Sequence, residues 1–178
     1  KKLFPDSPLQ PLPADHPIWF AETKINPQET PLWGLNTCCR TSVVYCPTNL
    51  SCYWELGKPR EDDAYPKPVQ ERIDRALAVG TNVLAYATGR ELRDKLDIPQ
   101  LIDAGDDVQR VQRNTLEVAK LRHGGGYDDA PSALSNLLAV ARDEVGMAAS
   151  TKRRLVAIGD DDLFEYPIVF MHGRRAFR

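Results

Sequence analysis

The sequence lacks a hydrophobic run of the length that a transmembrane helix requires, and its first residues lack the apolar core of a secretory signal peptide. The two kinds of charge nearly cancel, with 23 Lys and Arg against 25 Asp and Glu interspersed along the chain. A formal charge of −2 provides no general attraction for nucleic acid or for an anionic membrane. We therefore expect neither a membrane span nor a nucleic-acid partner.

Several catalytic and cofactor motifs are also missing. There is no G-x-S-x-G nucleophile elbow and no Walker sequence ending in G-K-[ST], and the acidic run at 160–162 does not have the spacing of an EF-hand. The four cysteines contain no C-x-x-C unit, which argues against a zinc ribbon. We expect no bound cofactor, and these absences favour a non-catalytic module over an enzyme.

The first half contains two runs rich in β-branched and aromatic residues, "TSVVYCP" and "SCYWEL", which predict an antiparallel hairpin over residues 41–56. Such a hairpin would place Cys46 opposite Cys52, and the pair could form a disulfide in an oxidising compartment. The alternative is four small buried side chains without a bridge. After the hairpin, apolar residues from Val69 recur at helical spacing. They predict a helix that is kinked or divided at Gly80 and ends near Leu96.

The second half has the order strand, glycine turn, helix, strand. Leu116–Arg122 alternates apolar and polar residues, which predicts a strand, and Pro131 opens an amphipathic helix. "RRLVAIG" and "YPIVFMHG" predict two further short strands. This order is typical of a parallel sheet with a right-handed crossover. We expect Leu116–Arg122 and Ile168–Met171 to lie side by side in the same direction, so that the residues after each line one crevice.

Both halves resemble a bacterial family. "LEVAKLRHGGGYDDAPSALSNLL" followed by "LFEYPIVFMHG" resembles the opening half of the family called domain of unknown function 4159, and "LPADHPIW" with "ALAVGTNVLAYATG" resembles its closing half. That family is similar in fold to class I glutamine amidotransferases. The resemblance therefore implies an α/β, flavodoxin-like parallel sheet flanked by helices, to which the predicted hairpin is attached. The family has no settled activity, so the resemblance implies little chemistry.

The two matching halves stand in inverted order along the chain. We therefore expect residues 1–97 to be the closing half of one copy, 98–111 to be a linker, and 112–178 to be the opening half of a second copy. The chain would then be a piece of a longer polypeptide that carries other domains. The two halves could also fold together as one permuted domain. The cell envelope or periplasm is favoured over the cytoplasm as the compartment.

The glycine run Gly124, Gly125 and Gly126 allows three interpretations. An oxyanion hole would need a nucleophile elbow, which the chain lacks. A phosphate cradle would place Asp128 and Asp129 beside a phosphate at an electrostatic cost. The third interpretation is a sharp turn from strand to helix, which glycine permits because it has no Cβ. We favour the turn, which still lies at the edge of the sheet where ligands bind.

The chain has only three histidines. His123 and His172 each follow a predicted parallel strand, and His16 lies in "DHP", where Asp15 could orient its ring. With a carboxylate from the aspartate pair they could act as an acid–base pair or bind a divalent metal. His123, His172 and Asp128 are the metal candidates, although we commit to no metal. Hydrogen-bonded loop residues are the alternative interpretation.

Arg174 and Arg175 follow the second of these strands and could bind an anionic group bidentately, or lie on a solvated loop. The leading hypothesis is an uncharacterised binding or interaction module for an unknown small ligand or protein partner. The alternative is a hydrolase or amidotransferase-like enzyme at the same edge of the sheet, with or without metal assistance. A purely structural scaffold is the third possibility.

Overall fold

The computed structural model describes residues 7–58, 65–90 and 115–176. Within these ranges the protein is a mixed α/β structure, as expected, with two three-stranded sheets and three α-helices. The strands are β1 (Gln10–Pro11), β2 (Trp33–Thr37), β3 (Arg40–Tyr45), β4 (Val118–Arg122), β5 (Leu155–Ala157) and β6 (Ile168–Phe170). The α-helices are α1 (Leu50–Leu56), α2 (Lys67–Thr88) and α3 (Ala133–Asp143), and short 3₁₀ helices occupy Pro17–Trp19 and Asp161–Glu165.

The first sheet is antiparallel, in the order β1-β2-β3. Its hairpin joins β2 to β3 through a turn at Cys38 and Cys39, so β3 pairs with the strand before it and not with the segment after it. The predicted hairpin over residues 41–56 is therefore wrong in its second strand. All four cysteines are free thiols, and the pairing that suggested a bridge between Cys46 and Cys52 is not formed.

The segment predicted as that second strand is helix α1, and its ends show why. The Asn49 side chain accepts a hydrogen bond from the Cys52 N–H at 3.3 Å, which caps the helix start, and Gly57 at φ +64° ends the helix. Between them, the buried Trp54 indole donates to the Ala76 carbonyl at 2.8 Å. Capping and burial of this tryptophan outweigh the strand preference of the aromatic residues.

Helix α2 is one continuous helix across Gly80, with no division at that residue. A Cβ at Gly80 would lie 2.5 Å from Leu137 Cδ1 and 2.8 Å from Trp54 Cζ2, so this glycine lets α1 and α3 approach α2 closely. The helix ends at Thr88, where Gly89 adopts the left-handed conformation of a C-cap. The predicted end near Leu96 and the predicted linker 98–111 lie outside the described residues.

The second sheet is parallel, in the order β5-β4-β6, so β4 is the central strand. The predicted parallel pairing of the segments at 116–122 and 168–171 is confirmed by the register Val118↔Ile168 and Lys120↔Phe170. The strand predicted from the apolar–polar pattern of 116–122 is confirmed as β4, although its residues from Val118 to Leu121, including the polar Lys120, are all buried. Helices cover one face, and Leu163 and Tyr166 pack against the other.

The main hydrophobic core combines residues from both sides of segment 91–114. Trp54, Ile73 and Leu77 pack in one cluster with Val118 and Leu137. Each such large apolar side chain contributes roughly 1.5–3 kcal/mol on full burial, so the two parts of the chain depend on each other for stability. Among the helices of the described ranges, none combines the length and the hydropathy needed to cross a bilayer.

Candidate functional site

The carboxyl ends of β4 and β6 lie next to each other, and His123 and His172 follow these two ends. The His123 ring links the two loops, because its Nε2 is 2.9 Å from the His172 carbonyl oxygen and its Nδ1 accepts a hydrogen bond from the Gly125 N–H at 3.0 Å. Since Nδ1 accepts, Nε2 carries the proton and donates it to the carbonyl. His123 therefore holds the loops together through its ring nitrogens.

The glycine run is a turn that is fastened to the loop after β6. The Gly125 carbonyl accepts hydrogen bonds from the Arg174 and Arg175 N–H groups, each at 3.0 Å. Gly126 has φ +85°, which favours glycine, and a Cβ at Gly173 would lie 2.7 Å from His123 Cε1 and 2.8 Å from the Gly125 oxygen. These contacts agree with the interpretation of the run as a sharp turn.

Asp128 lies against a buried lysine that the sequence interpretation missed. Lys120 is only 2% exposed, and its Nζ donates to the Ala130 carbonyl at 2.8 Å and to Asp128 Oδ1 at 3.4 Å. Asp128 also accepts from Arg153 at 2.7 Å, and this hydrogen bond holds the pKa of the carboxyl below its usual range. Asp129 lies against Gly126, within 2.5 Å of where a Cβ would stand. A lysine inside a fully buried strand is the signal that could have identified this group.

The His172 side chain at this edge is buried, at 9% exposed. Its Nδ1 is 2.7 Å from the Ser51 hydroxyl, which donates to Asn49 Oδ1 at 3.1 Å. Its Nε2 is buried and has no hydrogen-bond partner among the residues that the structure describes. Burial lowers the pKa of His172, and the nearby charges of Lys120 and Arg174 lower it further, against a smaller opposite effect of Asp129. The ring is therefore neutral at pH 7.

Helix α1 supplies the residues around this histidine, although the sequence interpretation assigned them to a strand. Ser51 is 6% exposed, and the neighbouring Cys52 thiol contacts the Arg174 guanidinium. One turn further on, Glu55 accepts a hydrogen bond from the Ser132 N–H at 2.7 Å, just before α3. The asparagine and glycine that flank α1 are typical helix-end residues, and they could have indicated the helix from sequence.

His16 and Asp15 lie in a different environment, beside the antiparallel sheet. His16 Nδ1 accepts from the Ile18 N–H at 3.2 Å, and its Nε2 is 3.0 Å from the Thr41 hydroxyl. Its ring also lies 5.1 Å from the Tyr86 ring. Burial lowers the pKa of His16, whereas the charge of Asp15 raises it. Both ring nitrogens of His16 are occupied, so this histidine does not extend the pair at the parallel sheet.

The structure does not assemble the metal candidates His123, His172 and Asp128 into a site. Across residues 7–58, 65–90 and 115–176, no group of three or more His, Cys, Asp or Glu side chains could hold a metal ion. His123 already uses both ring nitrogens, and Asp128 is paired with Arg153 and Lys120. The candidates that the structure brings together are His123, Gly125, His172 and Arg174, joined through backbone and ring hydrogen bonds.

Comparison with known proteins yields one family. Its profile, described as Domain of unknown function (DUF4159), matches residues 1–88 and 117–178, on both sides of the segment between α2 and β4. No curated protein and no solved structure matches the chain. Because the match covers most of the sequence, the chain belongs to the DUF4159 family of domains of unknown function.

Proposed function

We propose that this domain is a non-catalytic binding module whose ligand hydrogen-bonds to His172 at the carboxyl edge of the parallel sheet. One observation carries the proposal: Nε2 of this buried ring has no partner among the described residues. An unpaired buried polar atom costs about 1–3 kcal/mol of stability. A ligand that bonded to Nε2 would recover this cost. The position also agrees with the rule that ligands of open α/β sheets bind beyond the carboxyl ends of the strands.

The hydrogen-bond directions identify which proton His172 carries. The Cys52 N–H can only donate, so the Asn49 atom that receives it is an acceptor oxygen. The Ser51 hydroxyl must then donate to the same oxygen, and it can accept from His172 only if Nδ1 carries the proton. Nε2 consequently carries no proton, and its lone pair can accept a hydrogen bond from a ligand.

These directions favour binding over acyl transfer. A serine nucleophile needs a base that accepts its hydroxyl proton, whereas the Ser51 proton points to Asn49 and His172 donates to Ser51.

The proposal is tested by NMR of the histidine rings during titration with a library of small alcohols, amides and hydroxy acids. We expect at least one compound to shift the His172 Nε2 resonance, and we expect His172→Gln to abolish that binding. His16→Gln is the matched control and should leave the binding intact. If no compound moves the resonance, or if His172→Gln binds equally well, the proposal is wrong.

A second candidate function, a hydrolase or amidotransferase-like enzyme, is favoured by the 2.7 Å contact between Ser51 and His172. Rotation of the Ser51 hydroxyl, together with a change of the His172 tautomer that moves the ring proton from Nδ1 to Nε2, would turn this contact into a nucleophile–base pair. A fluorophosphonate probe and hydrolysis of p-nitrophenyl acetate test it, with Ser51→Ala as the control. Labelling of Ser51 together with turnover that Ser51→Ala removes would overturn the non-catalytic proposal, and we expect neither.

We further propose that the parallel sheet is flavodoxin-like and related to class I glutamine amidotransferases. The central position of β4, paired in parallel with both neighbours, supports this.

We also propose that the chain joins halves of two tandem copies within a longer bacterial polypeptide of the cell envelope. The inverted order of the two resembling segments supports the tandem copies. The formal charge of −2 supports a small ligand or a protein partner over nucleic acid.

A further inference from the structure

We infer that the ligand at His172 is a small organic anion that also carries an O–H or N–H donor, such as a hydroxy acid. This inference rests on the proposed function, because it names the class of molecule that the same site would bind. It has two parts, the donor and the negative charge, which depend on different residues.

The requirement for a donor follows from the chain of hydrogen bonds through Asn49, Ser51 and His172. The last acceptor in this series of hydrogen bonds is the side-chain oxygen of Asn49, Oδ1. Because Ser51 donates to it, the proton of His172 must be on Nδ1. Nε2 can then accept but not donate. A ligand with only acceptor atoms would place a lone pair against another lone pair in a buried environment, where that repulsion is costly.

The requirement for negative charge follows from Arg174. Its guanidinium contacts the Cys52 thiol, whose neighbour in α1 is Ser51, and its backbone N–H bonds to Gly125. A thiol is a weak acceptor, whereas a guanidinium presents five N–H donors that match a carboxylate or phosphate. Arg174 is exposed and can leave the thiol for a stronger acceptor.

The carboxylates nearest to the site are already engaged, with one exception. Asp128 pairs with Arg153 and Lys120, and Glu55 accepts from the Ser132 N–H. Asp129 is the exception: it lies against Gly126 on the glycine turn, and its negative charge raises the pKa of His172 against the larger effects of Lys120 and Arg174. Lys120 is close enough for its positive charge to lower the pKa of His172, and it pairs in register with Phe170, two residues before that histidine. An anion at His172 would therefore find Arg174 available as its partner.

A divalent metal ion is the main competing occupant for a bare imidazole nitrogen. It would need further ligands, and the described part of the chain provides no group of three metal-binding side chains. The charges of Lys120 and Arg174 would also repel a cation and are opposed by the charge of Asp129, and the two positive charges have the larger effects on the pKa of His172. The surroundings of Nε2 fit a donor-bearing anion better than a metal.

The test compares three molecules of similar size by calorimetry and by the His172 Nε2 resonance. Glycolate has a negative charge and a hydroxyl donor, acetate has the charge alone, and glycolamide has donors without the charge. We expect glycolate to bind at least tenfold more tightly than either. In Arg174→Gln we expect glycolate to weaken about tenfold, towards glycolamide. Arg175→Gln is the matched control and should leave all three affinities unchanged.

Each contrary result identifies the step that fails. Equal binding of glycolate and acetate would overturn the donor requirement, and equal binding of glycolate and glycolamide would overturn the charge requirement. If Arg175→Gln loses glycolate binding and Arg174→Gln does not, Arg174 is not the residue that binds the negative charge. If other library compounds bind at His172 but none of these three does, this inference alone is wrong. If no compound binds there at all, the proposed function fails with it.

Discussion

His16, beside the antiparallel sheet, and His172, at the carboxyl edge of the parallel sheet, head two hydrogen-bond chains of the same kind. At the first, the His16 ring bonds to the Thr41 hydroxyl, which donates to Asn36 Oδ1 at 2.7 Å. At the second, the His172 ring bonds to the Ser51 hydroxyl, which donates to Asn49. In both chains a histidine N–H donates to a hydroxyl, and that hydroxyl donates to an amide oxygen.

The two chains differ only at the remaining ring nitrogen. His16 Nδ1 accepts the Ile18 N–H and caps a 3₁₀ helix, whereas His172 Nε2 has no partner among the described residues. The first histidine is thus fully used by the fold, and the second retains one acceptor. A histidine whose two ring nitrogens both have partners in the fold has a structural role, whereas a buried ring nitrogen without a partner marks a candidate ligand-binding histidine.

The largest expected loss of stability comes from a substitution near His16, at Asn82. Asn82 of α2 is 1% exposed and makes four hydrogen bonds with the backbone of residues 18–23. We expect Asn82→Leu to lower the free energy of unfolding by about 3–5 kcal/mol, because it leaves several backbone groups unpaired. Chemical denaturation measures this loss. His16 resonances should shift, and His172 resonances should not.

Thr81→Val is the matched control for that substitution. Thr81 is buried beside Asn82, but its hydroxyl bonds only to helix carbonyls at Leu77 and Ala78. We expect a loss of less than about 1 kcal/mol. If the control variant is as unstable as Asn82→Leu, the hydrogen bonds of Asn82 do not account for the loss of stability. If the His172 resonances of the folded protein also shift in Asn82→Leu, the surroundings of the two histidines are coupled and the comparison fails.

A smaller loss of stability is expected from Gly173→Ala, next to His172. The new methyl group would overlap His123 and the Gly125 carbonyl, which cannot both move without breaking the link between the two loops. Overpacking of this kind costs roughly 1–3 kcal/mol. Gly124→Ala, which meets no atom within 4 Å, should change stability by less than about 0.5 kcal/mol. Equal melting temperatures for the two variants would show that the loops are not held as described.

The smallest expected effect is the dependence of stability on pH. Burial lowers the pKa of both His16 and His172 in the folded protein, whereas unfolded histidine titrates near about 6.5. The unfolded state therefore binds more protons just below that value, and stability falls as the pH decreases through it. We expect the melting temperature to decrease from pH 7.5 to pH 5.5, and His16→Asn and His172→Asn each to flatten the decrease.

These two variants also distinguish the effect of protonating His16 from the effect of protonating His172. Asparagine at position 16 can still accept the Ile18 N–H, so His16→Asn should retain the cap at neutral pH. Protonation of His16 Nδ1 would break this hydrogen bond, whereas protonation of His172 Nε2 would break none within the described residues. A pH profile that neither variant changes would mean that other groups control the acid response.

Much of the second half could be predicted from sequence because its signals are local. The positions of β4, α3 and β6 and the parallel pairing follow from apolar periodicity, glycine and proline. The burial of Lys120 did not follow from its polar character, because β4 is covered on both faces and buries its residues from Val118 to Leu121. The failure at α1 had another cause: its strand-like composition was outweighed by capping at Asn49 and by the packing of Trp54.

The sequence by itself determined the family, the mixed α/β class, the glycine turn and the place of His123 and His172 after two parallel strands, because these depend on residue types close together in the chain. Only the tertiary structure decided that Ser51 meets His172 across a separation of 121 residues, that His16 is fully occupied, and that Nε2 of His172 is not. The physical reason is that hydrogen-bond satisfaction depends on which groups packing brings together, and local periodicity does not specify that.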